Sequence, residues 1–471
     1  DTLWVYYETN GGWEMVEKDY SDADGDLETD EFDVPESAKG KHKVRVCYKE
    51  DEDKYLEWAY FTVKPKLEIT EPDDAKGPVG SEVTVKGTGF GEDEEDIEIR
   101  YYLNGSDYER VKKDITADEY GSWEATFTVP ASSKGDHDIF AEGDETDEDE
   151  VKEATFEVEP GISLSVMAGY VGDTLTVTGS GFEGDEKDIK VTYAGDMVVE
   201  DIEADDDGCW MATFEVPPSV MGTHELDAYG KKTKAKDIEE QDFTVKSKIT
   251  LSPTAGHVGT SLIVSGSGFA RDKWVTVTYD GVLQGSTSTT SKGSFSGISF
   301  AATHTQSTHQ ENHLVEVTCD STTVTANFVM ESTPPPQPTL TAPENGCRVG
   351  FVGKVAPKFE WSAVTDPSGV SYDLQIAGDE NFVTLVLPEV TGLSQTSYTI
   401  PEGQALPHGT YYWRVKAIDG AQNDSGWATA DSFKAGLLPL WAFIVIIALI
   451  VVLIGALAYY FFVVRRRALY D

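Results

Sequence analysis

Apolar and polar residues alternate along most of the chain, and one arrangement of them recurs three times. Each copy has a Val-Gly pair, apolar residues at alternate positions and then Gly-x-Gly-Phe, with ten residues from the first glycine to the phenylalanine. The copies begin at Val79, Val171 and Val258. Alternation with a period of two predicts β-strands that bury one face. The spacing therefore predicts one strand-rich unit repeated along the chain.

Further strands follow in the same order in each copy. A second strand ends at a tyrosine, a Gly-x-Trp turn starts a third strand in two copies, and Gly-x-His starts another. The tyrosines are Tyr101, Tyr193 and Tyr279, the turns begin at Gly121 and Gly208, and the Gly-x-His pairs begin at Gly40, Gly135 and Gly222. Successive copies lie 87 to 92 residues apart, which fits a seven-stranded β-sandwich.

The first 64 residues match only the later part of this repeat. Leu3, Val5 and Tyr7 align with the second strand of the complete copies, and residues 32–35 align with the third. The sequence therefore predicts that the chain opens inside a repeat, that its first sandwich has an incomplete core, and that the chain is a fragment of a longer polypeptide.

The end of the chain has a different pattern. Leu437 to Val464 is apolar without a charged residue, and Arg465, Arg466 and Arg467 follow at once. A run of this length predicts a membrane-spanning helix, and the arginines predict a cytoplasmic C-terminus. Aromatic anchors are expected at the two membrane boundaries, and these are Trp441, Tyr459 and Tyr460.

These patterns divide the chain into five β modules, a linker, a helix and a tail. Residues 339–436 form the fifth module, which has its own strand pattern and a Leu406-Pro-His-Gly-Thr-Tyr411 segment typical of a tyrosine corner. The predicted segments are 1–64, 65–160, 161–247, 248–331, the proline-rich linker 332–338, 339–436, the membrane helix 437–464 and the cytoplasmic tail 465–471.

The repeated motifs resemble the IPT/TIG-type immunoglobulin-like repeats of prokaryotic surface proteins. The resemblance covers residues 1–330, and the fourth copy departs from it because Phe295 stands where tryptophan is expected. Residues 339–436 resemble a fibronectin type III domain, through Trp361 and the strands 372–376 and 409–417. Both resemblances imply an all-β fold of tandem immunoglobulin-like sandwiches, used mostly as spacers and binding modules without a fixed active site.

The net charge of −47 is unevenly spread, since residues 1–247 carry −42 of it from 66 acidic and 24 basic residues. Nucleic acid is excluded as a partner, because no basic patch is present to neutralise phosphates. The four cysteines fall in four modules, and only Cys319 and Cys347, which flank the linker, are placed to form a disulfide.

Two acidic loops of the second module are candidate Ca²⁺ ligands. Clustered carboxylates suit Ca²⁺, and in a sandwich these two loops share one pole. The candidate ligands are Glu92, Asp93 and Asp96 in one loop and Asp144, Asp147 and Asp149 in the other. The alternative is that both loops are solvated and bind no ion. No other cofactor is predicted. Four histidines recur at one position, His42, His137, His224 and His313, and they are expected to be structural because single ligands one module apart cannot share an ion.

The sequence contains no motif for nucleophilic catalysis or phosphate binding, and an enzyme is not expected. It predicts a single-pass surface protein whose modules form an extracellular stalk or scaffold for adhesion or envelope interaction. The alternative is a receptor-like protein that binds a glycan or protein, or an accessory subunit of an extracellular enzyme. Tyr412 and Trp427 are the candidate contact residues for that alternative.

Overall fold

The computed structural model describes residues 2–21, 31–48 and 54–464. These residues are almost entirely β, with one long helix at the C-terminal end. The chain divides into two compact units, residues 1–246 and 247–471. The fold is therefore the predicted all-β array of sandwich modules with a C-terminal apolar helix.

The first module is a single antiparallel sheet with the strand order β2-β1-β3-β4. Its strands are β1 (Thr2–Thr9), β2 (Gly12–Tyr20), β3 (Gly40–Tyr48) and β4 (Tyr55–Val63). Residues 31–39 form no strand, contrary to the alignment of Phe32 to Pro35 with the third strand of the repeat. Among the described residues of this module, no strand lies beside residues 31–39 to form backbone hydrogen bonds with them. The alternating pattern is therefore not sufficient to form a strand here.

The second and third modules each have a three-stranded and a five-stranded sheet around one core. The second module has β5 (Lys66–Glu71), β6 (Lys76–Gly77), β7 (Glu82–Thr88), β8 (Ile97–Asn104), β9 (Asp107–Ile115), β10 (Trp123–Thr128), β11 (Gly135–Glu142) and β12 (Ala154–Val158). The third has β13 (Gly161–Leu164), β14 (Ala168–Gly169), β15 (Thr174–Ser180), β16 (Ile189–Tyr193), β17 (Asp196–Ile202), β18 (Trp210–Glu215), β19 (Gly222–Tyr229) and β20 (Gln241–Val245). The orders are β10-β7-β5 with β6-β12-β11-β8-β9, and β13-β15-β18 with β14-β20-β19-β16-β17.

Each of these modules has eight strands rather than the seven expected. The first strand of the repeat is divided into two short strands, and one of them belongs to each sheet. In the second module β5 pairs antiparallel with β7, and the two-residue β6 pairs parallel with β12 in the other sheet. The third module repeats this arrangement with β13 and β14.

The cores of the second and third modules are built on the Gly-x-Gly-Phe motif. In the second module the Trp123 ring packs edge-on against Phe90, with 5.3 Å between ring centroids. A Cβ on Gly87 would lie only 2.1 Å from the Trp123 ring, so glycine is required to seat it. The third module repeats the contact with Phe182 and Trp210, also at 5.3 Å.

The second unit contains two further sandwiches. The fourth module has β21 (Lys248–Ser252), β22 (Ala255–Gly256), β23 (Ser261–Ser267), β24 (Trp274–Tyr279), β25 (Val282–Ser288), β26 (Phe295–Ala301), β27 (Asn312–Cys319) and β28 (Thr322–Met330). The fifth has β29 (Leu340–Ala342), β30 (Cys347–Val349), β31 (Lys358–Trp361), β32 (Val370–Ala377), β33 (Val390–Leu393), β34 (Ser397–Thr399), β35 (Gly409–Asp419) and β36 (Asp431–Ala435). Cys319 and Cys347 are not joined by a disulfide.

The fifth module confirms the tyrosine corner, because the Tyr411 hydroxyl donates to the Pro407 carbonyl at 3.0 Å. The proline-rich segment before it does not stand free as a spacer. Pro335 and Pro338 are buried, and the Gln337 side chain donates to the Trp427 carbonyl at 3.3 Å.

The C-terminal helix α1 (Leu440–Tyr459) starts three residues later than the apolar run. Pro439 lies immediately before it, and Leu437 still belongs to the last sandwich, since its N–H donates to the Phe351 carbonyl at 2.8 Å. A π-helical turn (Tyr460–Val464) follows α1.

Candidate functional site

Helix α1 and the turn after it provide one segment long and apolar enough to cross a membrane. Residues 440–462 have a mean hydropathy of 3.2, and none of them is buried against the rest of the protein. Trp441 is the second residue of the helix and Tyr459 its last, with Tyr460 in the turn that follows. The three aromatic side chains predicted as anchors thus lie at the two ends of the segment, whereas Arg465, Arg466 and Arg467 lie outside the described residues.

The two loops predicted to bind Ca²⁺ do meet at one pole of the second module, but a different acid joins them. The six predicted ligands, Glu92, Asp93, Asp96, Asp144, Asp147 and Asp149, are all exposed. Glu94, between them in sequence, is 2% exposed and accepts four hydrogen bonds. Its donors are the Gly91, Glu145 and Thr146 N–H groups and the Thr146 hydroxyl, at 2.7 to 2.9 Å. The loops are therefore tied together by one carboxyl group that accepts from three backbone N–H groups and a hydroxyl. Ca²⁺ binding by the six exposed residues stays a prediction, which calorimetric titration of the chain with Ca²⁺ would test.

The third module repeats this arrangement with Glu186, which is also 2% exposed. It accepts from the Lys232 and Thr233 N–H groups at 2.6 and 3.0 Å and from the Thr233 hydroxyl at 2.6 Å. Burial alone would raise the pKa of Glu186, but the hydrogen bonds from Thr233 and Lys232 outweigh it and hold the pKa below its usual range. The charged carboxylate therefore stabilises the module.

Replacing Glu186 with glutamine should destabilise the third module by about 2–3 kcal/mol at neutral pH, because a neutral amide is a weaker acceptor for three donors. Because the folded-state pKa is lowered, this stabilisation is complete above the unfolded pKa of about 4.3 and is lost as pH falls through the folded value. The difference between the two proteins should therefore shrink below that pH. Hydrogen exchange of β16 to β19 measures it, and Glu200→Gln, an exposed change on β17, is the control. An equal effect of both changes would contradict the assignment.

The joints between modules in residues 1–246 repeat one hydrogen bond. The Lys39 N–H donates to the Phe90 carbonyl at 2.8 Å, and the Lys134 N–H donates to the Phe182 carbonyl at 3.0 Å. Each lysine directly precedes the Gly-x-His motif of one module, and each phenylalanine closes the Gly-x-Gly-Phe motif of the next. Two motifs that the sequence shows separately thus meet at the joint.

The second glycine of the Gly-x-Gly-Phe motif is also part of the joint. Gly89 and Gly181 have φ angles of 74° and 65°, in the left-handed region that favours glycine. A Cβ on them would lie 2.7 Å from the Lys64 carbonyl oxygen and 2.8 Å from that of Glu159, at the end of the preceding module. These glycines therefore permit close contact between one module and the next.

In the second unit, the fourth and fifth modules meet through a group of acids that sequence reasoning missed. Glu331, Asp366 and Asp419 bring one carboxylate oxygen each to within 4.8 Å of one another. Asp419 is buried, and it accepts from the Asn423 N–H and side-chain amide, both at 2.8 Å. In the described part of the chain this is the group whose oxygens could hold a hard cation. Its members are far apart in sequence and carry no common pattern, so no sequence signal identifies it.

An outer face of the fifth module combines aromatic and cationic side chains. The Arg414 guanidinium lies 4.0 Å from the Phe382 ring centroid and 4.7 Å from that of Trp427, and the Lys416 ammonium lies 5.2 Å from Trp427. Arg414 also donates to the Gln375 side-chain oxygen at 2.6 and 2.9 Å. Trp427, which the sequence suggested as a contact residue, is thus half-buried and in contact with two cationic side chains. Tyr412 is half-buried on β35.

Comparison with known protein families gives a match, which lies in the fifth module. A family model described as the N-terminal immunoglobulin domain of Rha78A-like proteins matches residues 348–439. That range is less than half of the chain, so it describes the module and not the whole protein. No curated protein matches the chain.

Several solved structures are similar to the chain. The tetra-tandem repeat in the extending region of a large adhesion protein is 14% identical, with a TM-score of 0.22, covering 79% of this chain and 97% of that one. The N-terminal eight Ig domains of Down Syndrome Cell Adhesion Molecule are 14% identical, with a TM-score of 0.20, covering 93% and 56%. SGBP-B of the Bacteroides ovatus mixed-linkage glucan utilization locus, in complex with a heptasaccharide, is 11% identical, with a TM-score of 0.22, covering 78% and 98%. At such scores the similarity carries no argument about ligands. The assignment of residues 1–330 to IPT/TIG-type repeats also stays a prediction.

Proposed function

We propose that the chain is a non-enzymatic, single-pass membrane protein whose immunoglobulin-like modules form an extracellular scaffold for adhesion or envelope interaction. The observation that carries this proposal is the apolar segment 440–462, which is wholly uncovered by the protein. Apolar surface costs about 25 cal/mol per Å² in water, and a contiguous exposed patch of this size marks contact with a membrane or a partner. A bilayer accounts for both its length and its composition.

The orientation follows from the charges beyond the helix. Arg465, Arg466 and Arg467 favour the cytoplasmic side, which leaves residues 1–436 outside the cell. The repeated joints support a scaffold role in residues 1–246, because a hydrogen bond and a close glycine contact restrict the hinge between neighbouring modules. The strongly acidic surface of residues 1–247 keeps these modules soluble and mutually repelling.

Cysteine labelling in intact cells tests the orientation. A parent chain carries serine in place of the half-buried Cys209 and Cys347. A cysteine at the exposed Ser286 of β25 should then react with a membrane-impermeant maleimide, whereas a cysteine at Ala468 should react only after permeabilisation. The reverse labelling pattern would overturn the proposed orientation.

A receptor-like role is the second candidate, and the cationic–aromatic face around Arg414 favours it. Aromatic rings and guanidinium groups are typical of binding surfaces for sugars and proteins. A glycan array probed with the full chain in detergent tests this role, with Trp427→Ala as the variant. Selective binding that this variant abolishes supports a receptor, whereas an array without selective signals leaves the scaffold role as the better account.

A further inference from the structure

The recurring histidine has the same structural role in the first three modules. One ring nitrogen, Nε2, bonds the carbonyl of the residue four positions earlier at 2.7 to 2.8 Å, and the ring stacks on the tyrosine that recurs at the same position of each repeat. The histidines are His42, His137 and His224. In these modules the predicted structural role is confirmed.

The fourth module departs from this arrangement at the same place. The loop between β26 and β27 has ten residues, 302–311, whereas the equivalent loops of the second and third modules have six, 129–134 and 216–221. The longer loop contains two additional histidines, His304 and His309. His313 occupies the recurring position and still stacks on Tyr279 at 5.2 Å, but its ring nitrogens have new partners.

The partners of each ring fix where its proton lies. His313 Nδ1 is 2.6 Å from a carboxylate oxygen of Asp280, which can only accept. His304 Nε2 is 3.0 Å from the Thr308 carbonyl oxygen, which can also only accept. In the neutral rings these two nitrogens therefore carry the single N–H, and the other nitrogen of each ring presents a lone pair.

Those two lone pairs face each other. His304 Nδ1 and His313 Nε2 are 3.4 Å apart, and His313 is only 1% exposed. Two acceptors so placed require a positive charge between them, which is either a proton or a metal ion. A zinc ion with Zn–N bonds of about 2.0–2.1 Å in tetrahedral geometry separates its ligand nitrogens by about 3.4 Å. The spacing of this pair is therefore that of two ligands on one ion.

A third nitrogen is available close by. His309 Nδ1 is 3.0 Å from the Ala421 carbonyl, so its Nε2 also carries a lone pair. That Nε2 is buried and has no hydrogen-bond partner among the residues that the structure describes. The His309 ring lies beside that of His304, with 6.4 Å between the ring centroids. To become a third ligand, the His309 side chain has to turn away from the Ala421 carbonyl.

We propose that the loop 302–311 and β27 form a site for a divalent transition-metal ion of the zinc class. His304 Nδ1 and His313 Nε2 are the two ligands already at the required spacing, and His309 becomes the third once its side chain turns toward them. Imidazole suits zinc, copper and nickel ions rather than Ca²⁺ or Mg²⁺. The Asp280 carboxylate and the Thr308 carbonyl orient the first two rings from their far nitrogens, as outer-shell groups do at zinc sites.

Titration of the full chain in detergent with Zn²⁺, in the presence of excess Mg²⁺ and Ca²⁺, tests the proposal. Mg²⁺ and Ca²⁺ occupy the acidic carboxylates of the surface, so the Zn²⁺ that still binds should amount to one ion per chain. Co²⁺ should give the visible absorption bands of a low-coordinate nitrogen site. His304→Ala should weaken Zn²⁺ binding at least about tenfold, and Asp280→Asn should weaken it about 10- to 100-fold.

The control is His257→Ala, which removes a histidine of the same module outside this cluster. Hydrogen exchange of β24 and β27 without metal shows whether each variant is folded, and His304 lies in the loop, so its change should leave both strands protected. Equal Zn²⁺ affinity of the parent and His304→Ala would overturn the proposal. So would the absence of Zn²⁺ uptake together with an imidazolium proton shared between His304 and His313 in NMR spectra.

Discussion

A chain that ends at residue 436 is expected to leave the membrane fraction completely. Among the described residues, the segment 440–462 is the one helix long and apolar enough to cross a membrane. Removing it leaves the second to fifth modules, each of which has its own apolar core. Carbonate extraction of membranes followed by sedimentation measures the effect, and the full chain should stay in the pellet.

Two substitutions within the helix separate membrane insertion from loss of the segment. Leu449→Arg and Leu453→Arg lie in the middle of α1, where each arginine costs about 2.5–3.5 kcal/mol on insertion. The double variant should therefore insert poorly, whereas a Leu/Ala sequence of the same length should insert as well as the parent. Retention of the truncated chain in the pellet would show that another part of the protein holds it there, and would contradict the anchor.

Placing a single methyl group on Gly179 should destabilise the third module by about 1–3 kcal/mol or more. A Cβ there would lie 2.0 Å from the Trp210 ring, which is 5% exposed and packed against Phe182. Because the ring belongs to a close-packed core, the conflict requires the ring or the strand to shift. Trp210→Ala should cost about 3–5 kcal/mol by leaving a cavity.

The double variant Gly179→Ala/Trp210→Ala tests the contact directly. Its loss should be smaller than the sum of the two single losses, because the added methyl then projects into the vacated space. Gly161→Ala is the control, since its Cβ would make ordinary contact with Pro78 at 3.5 Å. Hydrogen exchange of β15 and β18 reports each change. Additive losses would show that Gly179 and Trp210 do not act as a pair.

The parts of the fold that the sequence predicts are those with a local periodic signal. The alternation at Val83 and Val85 marks a buried strand, and Tyr411 with Gly409 marks the tyrosine corner. The additional strand in the second, third and fourth modules is missed because it has only two residues, as in β6, which is too short to show an alternating pattern. The helix begins later than the apolar run because Pro439 and the hydrogen bond of Leu437 end the sandwich there.

The sites were harder to predict because their partners are distant in sequence. Glu94 looks like its acidic neighbours, and only the Thr146 turn, 52 residues away, makes it the buried one. Glu331, Asp366 and Asp419 likewise come together only through the packing of two modules. The sequence identified His313 at the recurring position and predicted a structural role for it. The contribution of His304 and His309 became apparent only from the lengthened loop, compared with the equivalent loops of the other modules.

The joint between modules has a consequence for how such a protein changes its size. The second module carries both partners of such a joint, the acceptor Phe90 and the donor Lys134. A tandem duplication of the corresponding DNA therefore creates a new copy that already fits the copies before and after it. The number of modules can therefore change by recombination alone, without a compensating mutation at these joints.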